Sequence, residues 1–366
     1  GVGNKDTLGT NEEQLLGSLR DFHEKFYSAN LMKLVLVGNQ SSKELEKLAR
    51  KYFSNIKNKK VARPVTEISA YREQDLSKEI FIRSKIKSPI FLVEFPITDN
   101  RSQWKSKPNQ YIAKLINSQE DGSLMTKLQD KGLIQSGQVT LMPSVWGKDG
   151  SAFVEYSLTE KGEKNKALIL HSTYQFIDLI KSTGIDQAYF DELASINSIQ
   201  FEDYQSPSAL SLAVQFGQKV FDWPSENLID SAYVTSEFNA NAIKDVLDQM
   251  TPERSRIYHI GPNEVSDIDL KYADGAFRVK SLIAKKLTTT ASSNIALRLP
   301  QPEIIDNETD AQMVQSDKFQ RPVKIYQDIG VQAYLSNSQD HPGKEGILNL
   351  GIISSVPSES VDNLVS

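Results

Sequence analysis

The segment from Lys78 to Leu158 constrains the fold most, because strand and helix patterns follow one another there in a definite order. Two strand patterns come first, then two helix patterns, then two further strand patterns. The six predicted elements are Lys78–Lys85, Pro89–Ile97, Lys107–Asn117, Leu124–Asp130, Gln138–Val145 and Ser151–Leu158. This order predicts an α+β fold, in which an antiparallel sheet is covered by helices on one face.

The composition narrows the class of protein and its partners. The chain has 366 residues, of which 39% are hydrophobic and 24% charged, as expected of a globular protein with two or three domains. A net charge of −5 argues against nucleic acid as a partner, and no apolar run is long enough to predict a membrane partner. The chain has no cysteine, which excludes disulfides and thiolate chemistry and agrees with a periplasmic or secreted location.

The patterns on either side of this segment predict the domain organisation. Before it, a helix over Gln14–Tyr27, a strand over Met32–Val37 and a helix over Lys43–Phe53 lead into a basic linker. After it come helices, a strand over Arg256–Ile260 and a polar connection. Two strands, Lys324–Ser336 and Gly346–Ser354, are predicted last.

We therefore expect a domain division at residues 1–70, 71–300 and 301–366, with a complete central domain between two partial ones. On this interpretation the chain is truncated at both ends, because no helix pattern follows the last two strands to cover them.

Catalytic signatures are missing from the sequence. The four histidines are His23, His171, His259 and His341, and none has another histidine within one helical turn. Neither H-E-x-x-H nor H-x-x-E-H occurs, and there is no nucleophile elbow or P-loop. The sequence thus predicts no catalytic and no metal-ligating residue, and Trp104-Lys105 is interpreted as ordinary surface.

One stretch is compatible with binding through its backbone. The residues Ser136 to Thr140 enter a strand beside Gly137. An edge strand at this point could pair with an extended peptide through main-chain hydrogen bonds. The residues alone favour the alternative, an ordinary strand inside the sheet.

Several of these stretches resemble the pitrilysin and insulin-degrading-enzyme family of zinc metallopeptidases, whose members contain four similar α+β domains. Glu94–Ile97, Trp104–Pro108 and Asp121–Leu133 resemble the start of the second domain. The segments that resemble other parts of the family are Gly3–Leu8, Tyr27–Met32 and Phe53–Lys59 (end of the catalytic domain), Tyr272–Phe277 (late second domain) and Lys324 onward (third domain).

The resemblance implies a non-catalytic portion of a zinc metalloendopeptidase that degrades peptides and forms part of the substrate chamber. The zinc histidines and catalytic glutamate of the family would lie before Gly1. We therefore expect no cofactor in this segment, zinc in the full-length protein, and no cleavage by this chain alone. The expected partners are peptide substrates and the remaining domains of the same protein.

The resemblance also implies a binding site and reverses the preference for an internal strand. In this family the second domain supplies an exosite, an edge strand that anchors the N-terminal end of the substrate. The matching positions are Ser136, Gly137, Gln138 and Val139, with Gly122 near the approach. The alternative function is a catalytically inactive scaffold or peptide-binding subunit of a two-component peptidase of the same family. An H-x-x-E-H motif encoded upstream would favour the enzyme.

Overall fold

The computed structural model describes residues 7–9, 11–66, 68–202, 207–270, 275–282, 295–302, 323–328 and 331–335. Its helices are α1 (Glu12–Phe26), α2 (Ser42–Phe53), α3 (Pro108–Ile116), α4 (Leu124–Asp130), α5 (Glu160–Glu163), α6 (Lys166–Thr183), α7 (Gln187–Glu202), α8 (Ala209–Lys219) and α9 (Ala240–Gln249). Its strands are β1 (Lys78–Arg83), β2 (Ile90–Thr98), β3 (Ile134–Trp146), β4 (Asp149–Leu158), β5 (Arg256–Gly261), β6 (Ile268–Asp269), β7 (Ala276–Ser281), β8 (Val323–Asp328) and β9 (Val331–Leu335).

Seven strands form one open sheet in the order β3-β4-β2-β5-β1-β7-β6. The pairs are antiparallel, except that β1 and β5 run parallel. The predicted α+β class is confirmed, and the parallel pair is an addition to it. Two parallel neighbours need a long connection, here the chain from β2 to α9, and a local pattern does not show which strand that connection reaches.

One face of the sheet carries the hydrophobic core. The alternate residues Phe91, Val93, Phe95 and Ile97 of β2 are at most 2% exposed. They pack in one cluster with apolar residues of α3, α4, α6, α7 and α9. Because successive strand residues point to opposite faces, the helices cover a single face of the sheet.

Local sequence signals place the two helices nearest β3. Pro108 occupies the first turn of α3, where a missing N–H costs nothing. Helix α4 has the predicted bounds, Leu124 to Asp130, and Gly132 follows it with a φ of +63° that suits glycine. The buried residues Leu124, Met125 and Leu128 turn toward the core.

Some predicted elements differ in the structure. Residues 32–37 form no strand, since no described segment forms a ladder with them. The predicted strand Lys324–Ser336 is instead a hairpin of β8 and β9, which pair with each other in a separate two-stranded sheet. The predicted strand Gly346–Ser354 lies outside the described residues.

Candidate functional site

Strand β3 lies at one edge of the seven-stranded sheet. Its neighbour is β4, and the register pairs Gly137 with Tyr156, Val139 with Val154 and Leu141 with Ala152. An edge strand presents backbone N–H and C=O groups away from the sheet. The sequence-based hypothesis therefore concerns a strand that is in a position to pair with another chain.

The side-chain amide of Asn117 occupies this edge at Val139. The Val139 N–H donates to Asn117 Oδ1 at 2.7 Å, and Asn117 Nδ2 donates to the Val139 carbonyl at 3.0 Å. Asn117 is the residue that ends helix α3. Its amide thus satisfies both backbone groups of Val139 as a neighbouring strand would.

The bonds to Asn117 establish which residues of β3 face outward. In an antiparallel pair, both backbone groups of a residue point toward the partner strand or both point away, in alternation. Because the backbone N–H and C=O of Val139 point away from β4, those of Gly137 and Leu141 do so too. The backbone groups of Gln138 and Thr140 instead bond to β4. Among the described residues, none hydrogen-bonds the outward backbone groups of Gly137 or Leu141.

Gly137 allows helix α4 to approach the strand closely. A Cβ at this position would lie 2.6 Å from Met125 Sδ and 3.0 Å from a ring carbon of Tyr156. Real Cβ contacts are longer, so a larger residue at this position would require the side chains of Met125 and Tyr156 to shift. This glycine therefore has a packing role that sequence reasoning did not identify.

The other predicted site residues lie in different surroundings. The side chains of Ser136 and Gln138 are exposed on the sheet face opposite the helices. Gly122 lies just before α4 with φ +90°, and its carbonyl accepts from the Arg298 N–H at 2.9 Å. A Cβ on Gly122 would lie 2.3 Å from the Arg298 side chain. Residues 136–139 are thus together on one strand, while Gly122 contacts the segment 295–302.

Replacing Asn117 by alanine is expected to lower the free energy of unfolding by about 1–3 kcal/mol, because the buried backbone groups of Val139 lose both partners. Asn117→Asp should cost less, since a carboxylate still accepts from the Val139 N–H. Urea denaturation measures both losses, and amide exchange at Val139 should quicken in the alanine variant. An unchanged exchange rate would contradict the assigned hydrogen bond.

A second polar cluster lies on the open face of the sheet around Glu94, whose side chain is 4% exposed. Its Oε1 accepts from the Tyr71 hydroxyl at 2.6 Å and the Ser151 hydroxyl at 3.1 Å. Its Oε2 accepts from the Tyr258 hydroxyl at 2.6 Å and from Arg256 Nη1 at 3.0 Å. Burial and the neighbouring Glu94 raise the pKa of Tyr71 to about 12, so its hydroxyl remains a donor. The cluster fastens the segment before β1 to the sheet.

The histidines form no metal site in the part of the chain that the structure describes. His259 is buried on β5, stacked 4.5 Å from Phe81, with Nε2 3.5 Å from Glu79 Oε1. Across the described residues, no three histidine, aspartate or glutamate side chains form a cluster that could hold a metal ion. His341 lies outside these residues. The described side chains therefore do not fit a catalytic zinc ion.

Comparison with known families identifies the class of protein. The family described as "Peptidase M16 inactive domain" matches residues 15–197, and "Middle or third domain of peptidase_M16" matches residues 200–366. The two matches cover almost the whole sequence, and the chain belongs to the peptidase M16 family. This confirms the resemblance to pitrilysin and insulin-degrading enzyme.

Individual relatives agree with this assignment. Protease 3 of Escherichia coli K12 is 31% identical over 323 residues, which are 86% of this chain and 33% of that protein. Insulin-degrading enzyme of Drosophila melanogaster is 26% identical over 89% of this chain and 34% of its own length. The chain thus spans about one third of the curated relatives that it matches.

Solved structures support the fold. The crystal structure of pitrilysin superposes with a TM-score of 0.77 at 28% identity, over 90% of this chain and 36% of that one. The periplasmic protease PqqL of Escherichia coli has a TM-score of 0.55 at 12% identity, over 90% of this chain and 37% of that one. Within the described residues, no helix is both long and apolar enough to cross a membrane.

Proposed function

We propose that this chain is the non-catalytic portion of a zinc metalloendopeptidase that degrades peptides, and that the edge of β3 holds an extended peptide as an exosite in the substrate chamber. The observation that carries the proposal is the pair of outward backbone groups on Leu141, which no described residue bonds. A peptide residue opposite Leu141 gains two main-chain hydrogen bonds. Pairing that continues to Gly137 requires the Asn117 amide to turn away from Val139.

The match to a family described as the inactive domain of a peptidase supports a binding role for this segment. Zinc and the residues that activate water belong, in this proposal, to other parts of the full-length protein. We further propose the domain division at residues 1–70, 71–300 and 301–366. It is supported by the strands of the large sheet, which run from Lys78 to Ser281.

A non-catalytic scaffold or peptide-binding subunit of a two-component peptidase is the second candidate. Both candidate functions use the same edge strand, and similarity to the known relatives does not distinguish them. The sequence encoded upstream of this segment distinguishes them, because an H-x-x-E-H motif there supports the peptidase. A periplasmic or secreted location is proposed for both, supported by the absence of cysteine.

A proline scan of β3 tests the edge-strand proposal. Leu141→Pro removes an outward N–H, breaks no bond to β4 and leaves a peptide carbonyl unpaired. We expect the fold to survive and peptide affinity to fall by about 1–3 kcal/mol. Gln138→Pro removes an N–H that bonds to β4 and should destabilise the sheet.

Calorimetric titration with an extended peptide measures the affinity of each variant, and a melting curve measures its stability. Leu141→Ala is the matched control and should bind the peptide as the parent does, since the backbone N–H remains. A folded Leu141→Pro variant with parental affinity would show that this edge is not the peptide site.

A further inference from the structure

A cavity of about 240 Å³ adjoins the far end of β3. Leu141 and Pro143 of β3 line one side, and the start of α3 and the end of α8 line the others. Trp104 and Trp223 form an apolar wall, with ring centroids 5.2 Å apart and ring planes at 83°. Trp104, interpreted from the sequence as ordinary surface, is therefore a half-buried wall of a cavity.

The polar lining of the cavity is cationic. Arg101, Lys107 and Lys219 line it, and no aspartate or glutamate does so among the described residues. The Arg101 guanidinium is neutralised by Asp99 at 2.7 Å and Asp222 at 3.3 Å. The ammonium groups of Lys107 and Lys219 have no ion pair within 4 Å among the described residues.

The ammonium groups of Lys107 and Lys219 have N–H donors beyond the single contact that each makes among the described residues. Lys107 is 7% exposed, and its Nζ donates to the Ser231 carbonyl at 2.6 Å. Lys219 Nζ makes a long contact of 3.4 Å with the Leu228 carbonyl. An ammonium group has three N–H donors, so each lysine can bind a further acceptor. Burial, together with repulsion from Lys219, lowers the pKa of Lys107 to about 8, while Asp230 opposes this shift.

Two further features of the lining favour a negatively charged oxygen. Ser231 is 1% exposed, and its hydroxyl has no hydrogen-bond partner among the described residues. Such an unpaired buried group is uncommon and costs free energy. Asn109 and Gln110, in the first turn of α3, also line the cavity. The first turn of a helix has free N–H groups and a partial positive charge.

We propose that this cavity binds a carboxylate of the peptide that lies along β3. Lys107, Lys219 and the Ser231 hydroxyl would hold the oxygens, and the two indoles would cover the apolar part of the same residue. The inference rests on the proposed function, because Leu141 contributes both the exposed backbone and a wall of the cavity. The carboxylate can come from an acidic side chain or from the C-terminus of the peptide.

Three peptides of one length distinguish these sources. The first has a glutamate and an amidated C-terminus, the second has glutamine and a free C-terminus, and the third has glutamine and an amidated C-terminus. Tryptophan fluorescence and calorimetry report binding. We expect the third peptide to bind about tenfold or more weakly than one of the others, the usual worth of a charge-assisted hydrogen bond. Equal affinity of all three peptides would overturn the inference.

Variants of the lining residues test whether the preference for peptides with a carboxylate depends on this cavity. Lys219→Met and Ser231→Ala should remove most of it, and Lys219→Arg should restore part of it. Lys148→Met is the control, because Lys148 is exposed and is not among the described residues that line the cavity. A preference that persists unchanged in both Lys219→Met and Ser231→Ala would overturn the assignment to this cavity.

N-acetylglutamate separates the two proposals, since it lacks the length to pair with β3. If it binds in a Lys219-dependent way while no peptide binds, the carboxylate cavity stands and the edge-strand function fails. If all three peptides bind equally and lose affinity in Leu141→Pro, the edge-strand function stands and the carboxylate cavity fails. If neither probe binds, both proposals fail.

Discussion

Replacing Glu94 by leucine is expected to lower the free energy of unfolding by about 3–5 kcal/mol, because it leaves Arg256 partly buried without its carboxylate. The hydroxyls of Tyr71, Ser151 and Tyr258 lose their acceptor in the same change. One Arg256 nitrogen, Nε, is already buried with no hydrogen-bond partner in the described part of the chain, so the guanidinium has little alternative bonding. Urea denaturation followed by circular dichroism measures the loss.

A control and a double variant identify the cause of this loss. Glu155→Leu makes the same change on the same sheet face, at a glutamate in no described salt bridge, and should stay within about 0.5 kcal/mol of the parent. Glu94→Leu with Arg256→Met should be more stable than Glu94→Leu alone, because no buried charge remains. If Glu94→Leu is as stable as the Glu155 control, the cluster does not fasten the sheet.

The stability of the protein should rise between about pH 8 and pH 10 through Lys107. Its folded pKa is about 8, below the ordinary value of 10.5. In this interval the unfolded chain holds a proton that the folded protein has released, so the free energy of unfolding increases with pH. A pKa difference of about 2.5 corresponds to about 3 kcal/mol at full deprotonation.

Lys107→Met should remove this rise. Its stability should exceed that of the parent at pH 7, where the parent holds a buried charge, and the difference should shrink toward pH 10. Buried tyrosines whose pKa is raised, such as Tyr71 and Tyr111, oppose the rise above pH 10, so the comparison ends there. Lys244→Met, on an exposed helix surface, is the control and should follow the parent curve. Parallel curves for the parent and Lys107→Met would contradict the lowered pKa.

Local patterns predicted the parts of the fold that are set by neighbouring residues. Helix α4 has its predicted bounds because the turn at Gly122-Ser123 and the left-handed Gly132 limit it on both sides. Strand β2 is recognisable from its apolar run, since it is buried among its neighbours. The parallel pairing of β1 with β5 joins residues about 180 positions apart, which no local pattern encodes.

Sequence patterns and the resemblance indicated which strand forms the candidate site but not the contacts that other segments make with it. The strand containing Gly137 and Val139 was singled out correctly as a possible edge, and the resemblance favoured that choice over an internal strand. The amide of Asn117 is 22 positions from Val139 and follows a helix whose end alone gave no sign of this bond. The Trp104–Trp223 wall joins two segments more than a hundred residues apart and was missed for the same reason.

The bond between Asn117 and Val139 also bears on how the protein avoids self-association. A bare edge strand invites a second copy of the chain to add to the sheet, and long unprotected edges are sites of aggregation. Here one amide divides the exposed edge into two short stretches, around Gly137 and around Leu141. Both bonds between Asn117 and Val139 would have to break before a second copy could extend the sheet in register along β3.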